Sequence, residues 1–256
     1  MKTIGLIGGM SWESTATYYR YINQAVRARL GGLASARVIL NSLDFSTVVA
    51  LQKADRWDDA GVLLGDAGAG LARAGADCVL ICTNTMHLVA GKVASMSGVP
   101  LIDIIDETAA VLKASGRKRP LLLATRYTME HGFYCDRMAA HGISVEVPGA
   151  ADRAAVHEII FNELCQGIVS DASRKRLEEI VEAAAGRGAD SVILGCTEIQ
   201  LLLKTDGLAL PGYDSTFIHA DAAVRFALSG QVDCRPGASP EMMGTKMEAT
   251  GRMAAR

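Results

Sequence analysis

The sequence lacks the long hydrophobic run of about 20 residues that a membrane-spanning helix requires. Its first residues lead directly into a strand-like run, Thr3 to Ile7, and leave no space for the cationic region and separate apolar segment of a secretory signal. The six cysteines contain no CxxC pair of the zinc type, and their dispersal along the chain is typical of reduced cytosolic thiols. We therefore expect a cytoplasmic protein with no membrane partner.

An excess of charge of either sign is also missing. The chain has 26 Lys and Arg residues against 28 Asp and Glu, which gives a formal net charge of −2. Nucleic-acid and anionic-membrane binding usually needs a basic surface, so we expect neither partner. The G-x-G-x-x-G and Walker patterns are absent, nothing indicates a Ser-His-Asp triad, and the five histidines form no metal-type cluster. We expect no metal and no cofactor.

What the sequence does contain is an internal repeat. The segments Gly75 to His87 and Gly188 to Ile199 both open with Gly-Ala-Asp and continue into an apolar run that ends in small polar residues. This pattern is typical of a buried parallel strand that places reactive groups at its carboxyl end. The offset of 188 − 75 = 113 residues pairs Thr83 with Cys196.

Strand-like and helix-like patterns alternate along all 256 residues, which favours an α/β protein with parallel sheets and a ligand at the strand carboxyl ends. The basic run from Arg117 to Pro120 interrupts the pattern, and Leu121 to Thr125 restarts it. We therefore predict two similar Rossmann-like domains that face each other across a cleft. The predicted divisions are residues 1–115 plus about 208–228 for the first domain, 116–207 for the second, and 229–256 for a poorly ordered tail.

The weaker elements of this prediction are short strands at three places and a closing helix. We predict the strands at Val99–Ile104, His141–Pro148 and Leu208–Pro211, and the helix at His219–Leu228 after a turn. An alternative is that the duplication is architectural and that only one half is active.

Cys196 is the first candidate for chemistry, because it follows the second apolar run and a helix can begin just after it. A helix amino terminus lowers the pKa of a thiol from about 8.5 towards neutrality, which would supply a thiolate base or nucleophile. The alternative is an inert buried thiol. The flanking Gly195 and Thr197, together with the repeat, favour the reactive interpretation.

The first half ends its strand with hydroxyl and amide groups from Thr83, Asn84 and Thr85, which suit a bound carboxylate. Helix capping is the alternative role for these residue types. Strand alternation turns Cys82 away from the side that Thr83 faces. His87 lies one helical turn beyond Thr83, where it either orders the site or is an ordinary capping or core histidine.

Three blocks of sequence resemble the aspartate/glutamate racemase family of cofactor-independent amino-acid racemases. They are Ile4 to Thr15, Cys82 to His87, and Leu194 to Ile199, and they extend over nearly the whole chain before the tail. The resemblance implies two domains related by a pseudo-twofold axis, a homodimer, and an amino-acid substrate held between two cysteines without pyridoxal phosphate or a metal. One cysteine of the family removes the α-proton, and the other reprotonates the opposite face.

This chain departs from the family pattern at Thr83, which precedes Asn84 where a cysteine is common. A threonine hydroxyl is too weak an acid to be a resting base, so the two faces of the substrate cannot be equivalent. We expect Cys196 to take the α-proton of one enantiomer, the L form, and Thr83 to donate or relay a proton. Turnover from the two enantiomers should then be unequal.

Residues for substrate binding follow from motif position and donor chemistry. We expect Met10, Asn84, Thr85 and Thr197 to surround the α-carboxylate and amino groups, and Gln52 and the turn from Thr125 to Thr128 to form pocket walls. A side-chain carboxylate needs a cation, and the sequence leaves three candidates open: Lys53, Arg56 and Arg126.

Two other functions remain open at this stage. A decarboxylase or isomerase of the same superfamily, of the arylmalonate decarboxylase type, would use a single second-half cysteine. A non-catalytic small-molecule binder would also fit the fold. Cys196 separates the binder from the enzymes, because a binder does not need a reactive thiol in its cleft.

Overall fold

The structure is a computed structural model that describes residues 1–205 and 207–229. It is an α/β molecule with two parallel three-stranded sheets. The tail that the sequence predicts to be poorly ordered begins at the last described residue and otherwise lies outside the described residues.

The first sheet has the order β2-β1-β3, with all strands parallel. Its strands are β1 (Ile4–Gly8), β2 (Val38–Ser42) and β3 (Cys78–Ile81). β1 and β3 are fully buried and almost entirely apolar, as strands covered on both faces by helices must be. The segment predicted as a strand at Val99–Ile104 contributes only a single bridge, between Leu101 and Val79.

The second sheet has the order β4-β5-β6 and is also parallel. Its strands are β4 (Pro120–Leu123), β5 (Ser191–Leu194) and β6 (Gly212–Asp214). The predicted strand at His141–Pro148 is reduced to one bridge, between Glu146 and Leu121. The predicted strand at Leu208–Pro211 was wrong in position, because the pairing with β5 falls a few residues later, at β6.

Ten α-helices are present in the described part of the chain, and none of them is both long and apolar enough to cross a membrane. They are α1 (Trp12–Leu30), α2 (Phe45–Lys53), α3 (Trp57–Arg73), α4 (Ala90–Ser97), α5 (Ile104–Ala114), α6 (Arg126–Glu130), α7 (Phe133–Ala140), α8 (Ala150–Glu158), α9 (Asp171–Gly186) and α10 (Ser215–Ser229). Short 3-10 turns occupy Thr85–Val89, Leu164–Gln166 and Thr197–Leu201, and a π-helical turn occupies Ile159–Glu163.

The internal repeat is a structural repeat. β3 and β5 have the same length and begin 191 − 78 = 113 residues apart, which is the offset in the sequence. Gly75 and Gly188 have φ angles of 97° and 92°, a left-handed conformation that glycine adopts at little cost when a helix turns back into a strand.

The aspartate of each Gly-Ala-Asp motif ties its own strand to the neighbouring one. An oxygen of Asp77 accepts a hydrogen bond from the backbone N–H of Thr3 at 2.6 Å, just before β1. Asp190 accepts from the N–H groups of Lys118 at 2.6 Å and Arg119 at 3.0 Å, just before β4. The motif therefore sets the register of the two central strands in each half.

Two helices, α5 and α10, do not pack against the sheet that precedes them in the chain. Each packs against the sheet of the other half. α5 follows the first sheet, but its residues Ile104, Ala109 and Leu112 belong to the core around β4 and β5. α10 follows the second sheet, but Ala223 and Phe226 belong to the core around β1 and α1. The division of the chain into domains after residue 115 and at about residue 208 stays a prediction.

Candidate active site

A central pocket lies between the carboxyl ends of the two sheets. Its empty space, counting its open mouth, is about 530 Å³. Seven of the residues that the sequence singled out for catalysis or binding line it: Met10, Gln52, Thr83, Asn84, Thr85, Cys196 and Thr197. The pocket therefore collects residues from both halves of the repeat.

Cys196 follows β5, and only 9% of its surface is exposed. Its Sγ donates a hydrogen bond to Oε2 of Glu198 at 3.0 Å. Burial, and then the negative charge of Glu198, raise the pKa of the Cys196 thiol well above its usual value. The lowered pKa that we predicted was wrong, because only a five-residue 3-10 turn follows the cysteine and a carboxylate lies beside it.

Glu198 is the functional group that the sequence did not single out. It is 8% exposed, and its Oε1 accepts hydrogen bonds from Ser11 Oγ and Ser14 Oγ, both at 2.7 Å. These serines lie at the start of α1, in the first half of the molecule. Glu198 therefore connects Cys196 to the opposite half. Its position beside Cys196 in the sequence was the available signal, but its orientation depends on the two serines.

Thr83 follows β3 and is partly exposed in the central pocket. Its backbone oxygen accepts a hydrogen bond from Nδ1 of His87 at 2.8 Å, while Nε2 of His87 accepts the N–H of Ile104 at 3.2 Å. This pair of partners requires a neutral imidazole that carries its proton on Nδ1. Burial favours the same state by lowering the pKa of His87. The role of His87 in ordering the site stays a prediction, since a buried core histidine would make the same contacts.

Asn84 and Thr85 also join the two halves. Nδ2 of Asn84 donates to Ser215 Oγ at 3.1 Å, at the start of α10, while Oδ1 of Asn84 is buried without a partner. Oγ1 of Thr85 lies 2.9 Å from that of Thr125 and 3.0 Å from that of Thr128. The unpartnered amide oxygen and the threonine cluster are groups that a polar ligand can complete.

Two other cysteines reach the pocket wall. Cys82 has no exposed surface and belongs to the core around β1, and burial raises the pKa of its thiol. Cys165, which the sequence did not single out, lies in the 3-10 turn after the π-helical turn, and burial raises its pKa to about 12. Burial therefore favours the protonated form of both thiols.

The three cationic candidates differ in position. None of Lys53, Arg56 and Arg126 lines the central pocket. Arg56 pairs with Asp59 at 2.7 Å, and the guanidinium carbon of Arg126 lies 5.7 Å from the ring centre of Tyr127. Lys53 lines an adjacent pocket. Within residues 1–205 and 207–229 no group of three or more His, Cys, Asp or Glu side chains could hold a metal ion.

The sequence profile of Asp/Glu/Hydantoin racemases matches residues 7–223, which is most of the chain. This chain belongs to the Asp/Glu/Hydantoin racemase family. Family membership supports an isomerase of the racemase type with a small-molecule substrate, at this general level.

Solved structures agree with the family assignment. A candidate Asp/Glu racemase from Yersinia pestis is 48% identical, with a TM-score of 0.85, over 90% of this chain and 100% of that one. An aspartate racemase homologue from Pyrococcus horikoshii OT3 is 31% identical, with a TM-score of 0.79 and the same coverage of both chains. Arylmalonate decarboxylase, at 17% identity and a TM-score of 0.52 over 93% of this chain and 97% of that one, shares the fold.

Proposed function

We propose that this protein is a cofactor-independent racemase of aspartate, glutamate or both, with Cys196 and Thr83 on opposite faces of the substrate. The observation that supports this most is the pairing of the two residues by the repeat. Each comes two residues after the last residue of its central strand, Ile81 or Leu194, and each lines the central pocket.

In the proposed first step, the Cys196 thiol passes its proton to Glu198 and the resulting thiolate removes the α-proton of the L enantiomer. The Cys196–Glu198 hydrogen bond of 3.0 Å supports this route. The carbanion then takes a proton from the Thr83 side, either from the hydroxyl or through a water molecule. Thr83 recovers its proton from solvent, and Glu198 releases to solvent the proton that it took from Cys196, so that the carboxylate and the thiol are both restored. The hydroxyl of Thr83 makes no hydrogen bond with a described residue, which leaves it available.

We propose that Met10, Asn84, Thr85 and Thr197 surround the α-carboxylate and amino groups, with Gln52 and the turn from Thr125 to Thr128 as walls. The unpartnered Oδ1 of Asn84 suits a substrate ammonium group, and the Thr85 cluster suits a carboxylate. We also propose a homodimer, for which the exposed apolar side chains of Trp12 and Tyr19 on α1 are suitable interface residues.

The test is proton NMR of L-aspartate and L-glutamate with the enzyme in heavy water. We expect the α-proton signal to disappear and the other enantiomer to form, with no release of carbon dioxide. Cys196→Ser should lower the rate by at least about 100-fold, because it removes the acid–base group on one face. Release of carbon dioxide from a malonate substrate, without exchange of amino acids, would identify the decarboxylase instead. An active Cys196→Ser enzyme would contradict the proposed role of this thiol.

A further inference from the structure

A second pocket, which we call the outer pocket, adjoins the central one. Gln52 and Phe161 line both pockets, so they form part of the wall that the two pockets share. Gln52 ends the buried part of α2, and Phe161 lies in the π-helical turn. The outer pocket is otherwise lined mainly by polar side chains from the two halves: Lys53, Tyr127, His157, Glu158 and Asn162.

The two pockets differ in charge. Glu198 is the charged side chain of the central pocket, and no Lys, Arg or His of the described residues lines it. In the outer pocket, Lys53 is exposed and makes no hydrogen bond or ion pair with any described residue. Its ammonium group is therefore available to a ligand that extends past Gln52.

Neutral hydrogen-bond donors accompany this ammonium group. Nδ1 of His157 accepts the backbone N–H of Arg126 at 3.3 Å, so the proton of the neutral ring lies on Nε2. Burial, and then the charge of Arg126, lower the pKa of His157 and favour this neutral form. Tyr127 adds a phenol hydroxyl. Together with Lys53, these groups suit a carboxylate better than a cation.

The carboxylate of Glu158 also lines the outer pocket and repels an anion there. Its Oε2 accepts a hydrogen bond from Nδ2 of Asn162, one helical turn along the chain, which satisfies part of its hydrogen-bonding capacity. Its charge should still weaken the binding of a carboxylate near Lys53. Loss of the Lys53 charge should therefore weaken the binding of a carboxylate, and loss of the Glu158 charge should strengthen it.

We propose that Lys53 binds the side-chain carboxylate of a dicarboxylic amino acid whose α-carbon lies in the central pocket, and that Tyr127 and His157 assist as neutral donors. The proposal rests on the proposed function. It makes Lys53 a specificity-determining residue, while the α-amino and α-carboxylate groups stay with the residues of the central pocket. Of the three cationic residues that the sequence left as candidates, this proposal selects Lys53.

The test is titration calorimetry with L-glutamate and with L-glutamine, which has the same shape but no side-chain charge. We expect Lys53→Gln to weaken glutamate relative to glutamine by about tenfold, because an exposed ion pair with a flexible lysine has a moderate binding energy. Glu158→Gln should shift the same ratio in favour of glutamate. The matched control is Arg56→Gln, which removes a neighbouring cation that already pairs with Asp59 and should leave the ratio unchanged.

Racemisation by each variant is measured in parallel, so that failure of the carboxylate subsite can be distinguished from failure of the racemase proposal. If the enzyme exchanges the α-proton but Lys53→Gln changes glutamate and glutamine equally, the carboxylate subsite is wrong and the racemase stands. If Lys53→Gln selectively weakens glutamate but no amino acid exchanges its α-proton, the subsite stands and the racemase is wrong. A wild-type protein that binds neither L-glutamate nor L-aspartate contradicts both.

Discussion

The residues of the central pocket combine into an acid–base pair rather than a free thiolate. Cys196 donates to Glu198, and Glu198 is held by Ser11 and Ser14 from the opposite half. Burial and the nearby carboxylate keep the thiol protonated in the ligand-free protein. Glu198 is therefore placed to receive the proton when a substrate approaches, and the two serines make this acceptor depend on contact between the halves.

Replacement of Glu198 should make the Cys196 thiol more acidic and yet lower the rate of racemisation. In Glu198→Gln, loss of a negative charge lowers the pKa of the Cys196 thiol, although burial still raises it. Alkylation of Cys196 by iodoacetamide near pH 8 should become a few-fold faster, while racemisation falls at least about tenfold because the proton acceptor is gone. The exposed Glu182→Gln variant is the control. Slower alkylation in Glu198→Gln would contradict this account.

The sequence was sufficient to predict seven of the residues that line the central pocket, because most of them follow strand ends, which collect at one edge of a parallel sheet. It was insufficient for the pKa of Cys196. That value depends on the orientation of Glu198, which serines far away in the sequence determine, and on the short turn that replaces a full helix. The outer pocket could not be predicted from the sequence either, because its wall combines residues of α2 with residues more than 70 positions later in the chain.

At the scale of elements, the segment between Leu101 and α5 is the point where the chain crosses to the other half. Nε2 of His219 on α10 donates to the backbone oxygen of Ile102 at 2.8 Å, and its Nδ1 accepts from the hydroxyl of Tyr18. His87 accepts the N–H of Ile104 on the other side. Two buried neutral histidines therefore hold the crossing segment, and His87 links it to Thr83.

Acid should destabilise the protein through these histidines. Burial, and then His87, lower the pKa of His219 from 6.5 to about 3. A lowered folded-state pKa gives stability that is complete above pH 6.5 and is lost as the pH falls from 6.5 towards 3, since the unfolded chain binds the proton first. Urea unfolding between about pH 7.5 and 5 should show a smaller loss of free energy of unfolding for His219→Phe than for the wild type. An equal loss would contradict this role, and the exposed His131→Phe is the control.

Short elements at the sheet edges were the least predictable part of the fold. The strands β3 and β5 are short, fully buried and mainly apolar, and the internal repeat made them predictable. The outer segments around Leu101 and Glu146 each form only a single bridge with the neighbouring strand. An apolar pattern indicates burial at such a position but does not determine how many ladder bonds form.

At the scale of the whole molecule, the fold is nearly symmetric, whereas the chemistry that we propose is not. Adding the two single bridges gives each half four segments in the same order, and α5 and α10 pack on opposite halves in a reciprocal way. No sequence pattern reveals this exchange, because the apolar face of a helix does not specify which sheet it covers. The exchange brings Ser215 and Ile104 beside Asn84 and His87, and so couples both halves to the pocket.

The central claim is that Thr83 and Cys196 are unequal partners. The equilibrium constant between enantiomers is one, so kcat/KM must be the same in both directions, and the inequality must be in kcat with a matching difference in KM. The most direct measurement is therefore kcat from saturating L and D substrate, for the wild type and for Thr83→Cys. We predict that the wild-type kcat from the L enantiomer exceeds that from the D enantiomer by about tenfold or more, and that Thr83→Cys brings the two values to within about twofold. Equal wild-type kcat values, or activity that Cys82→Ala abolishes and Thr83→Ala does not, would contradict the account.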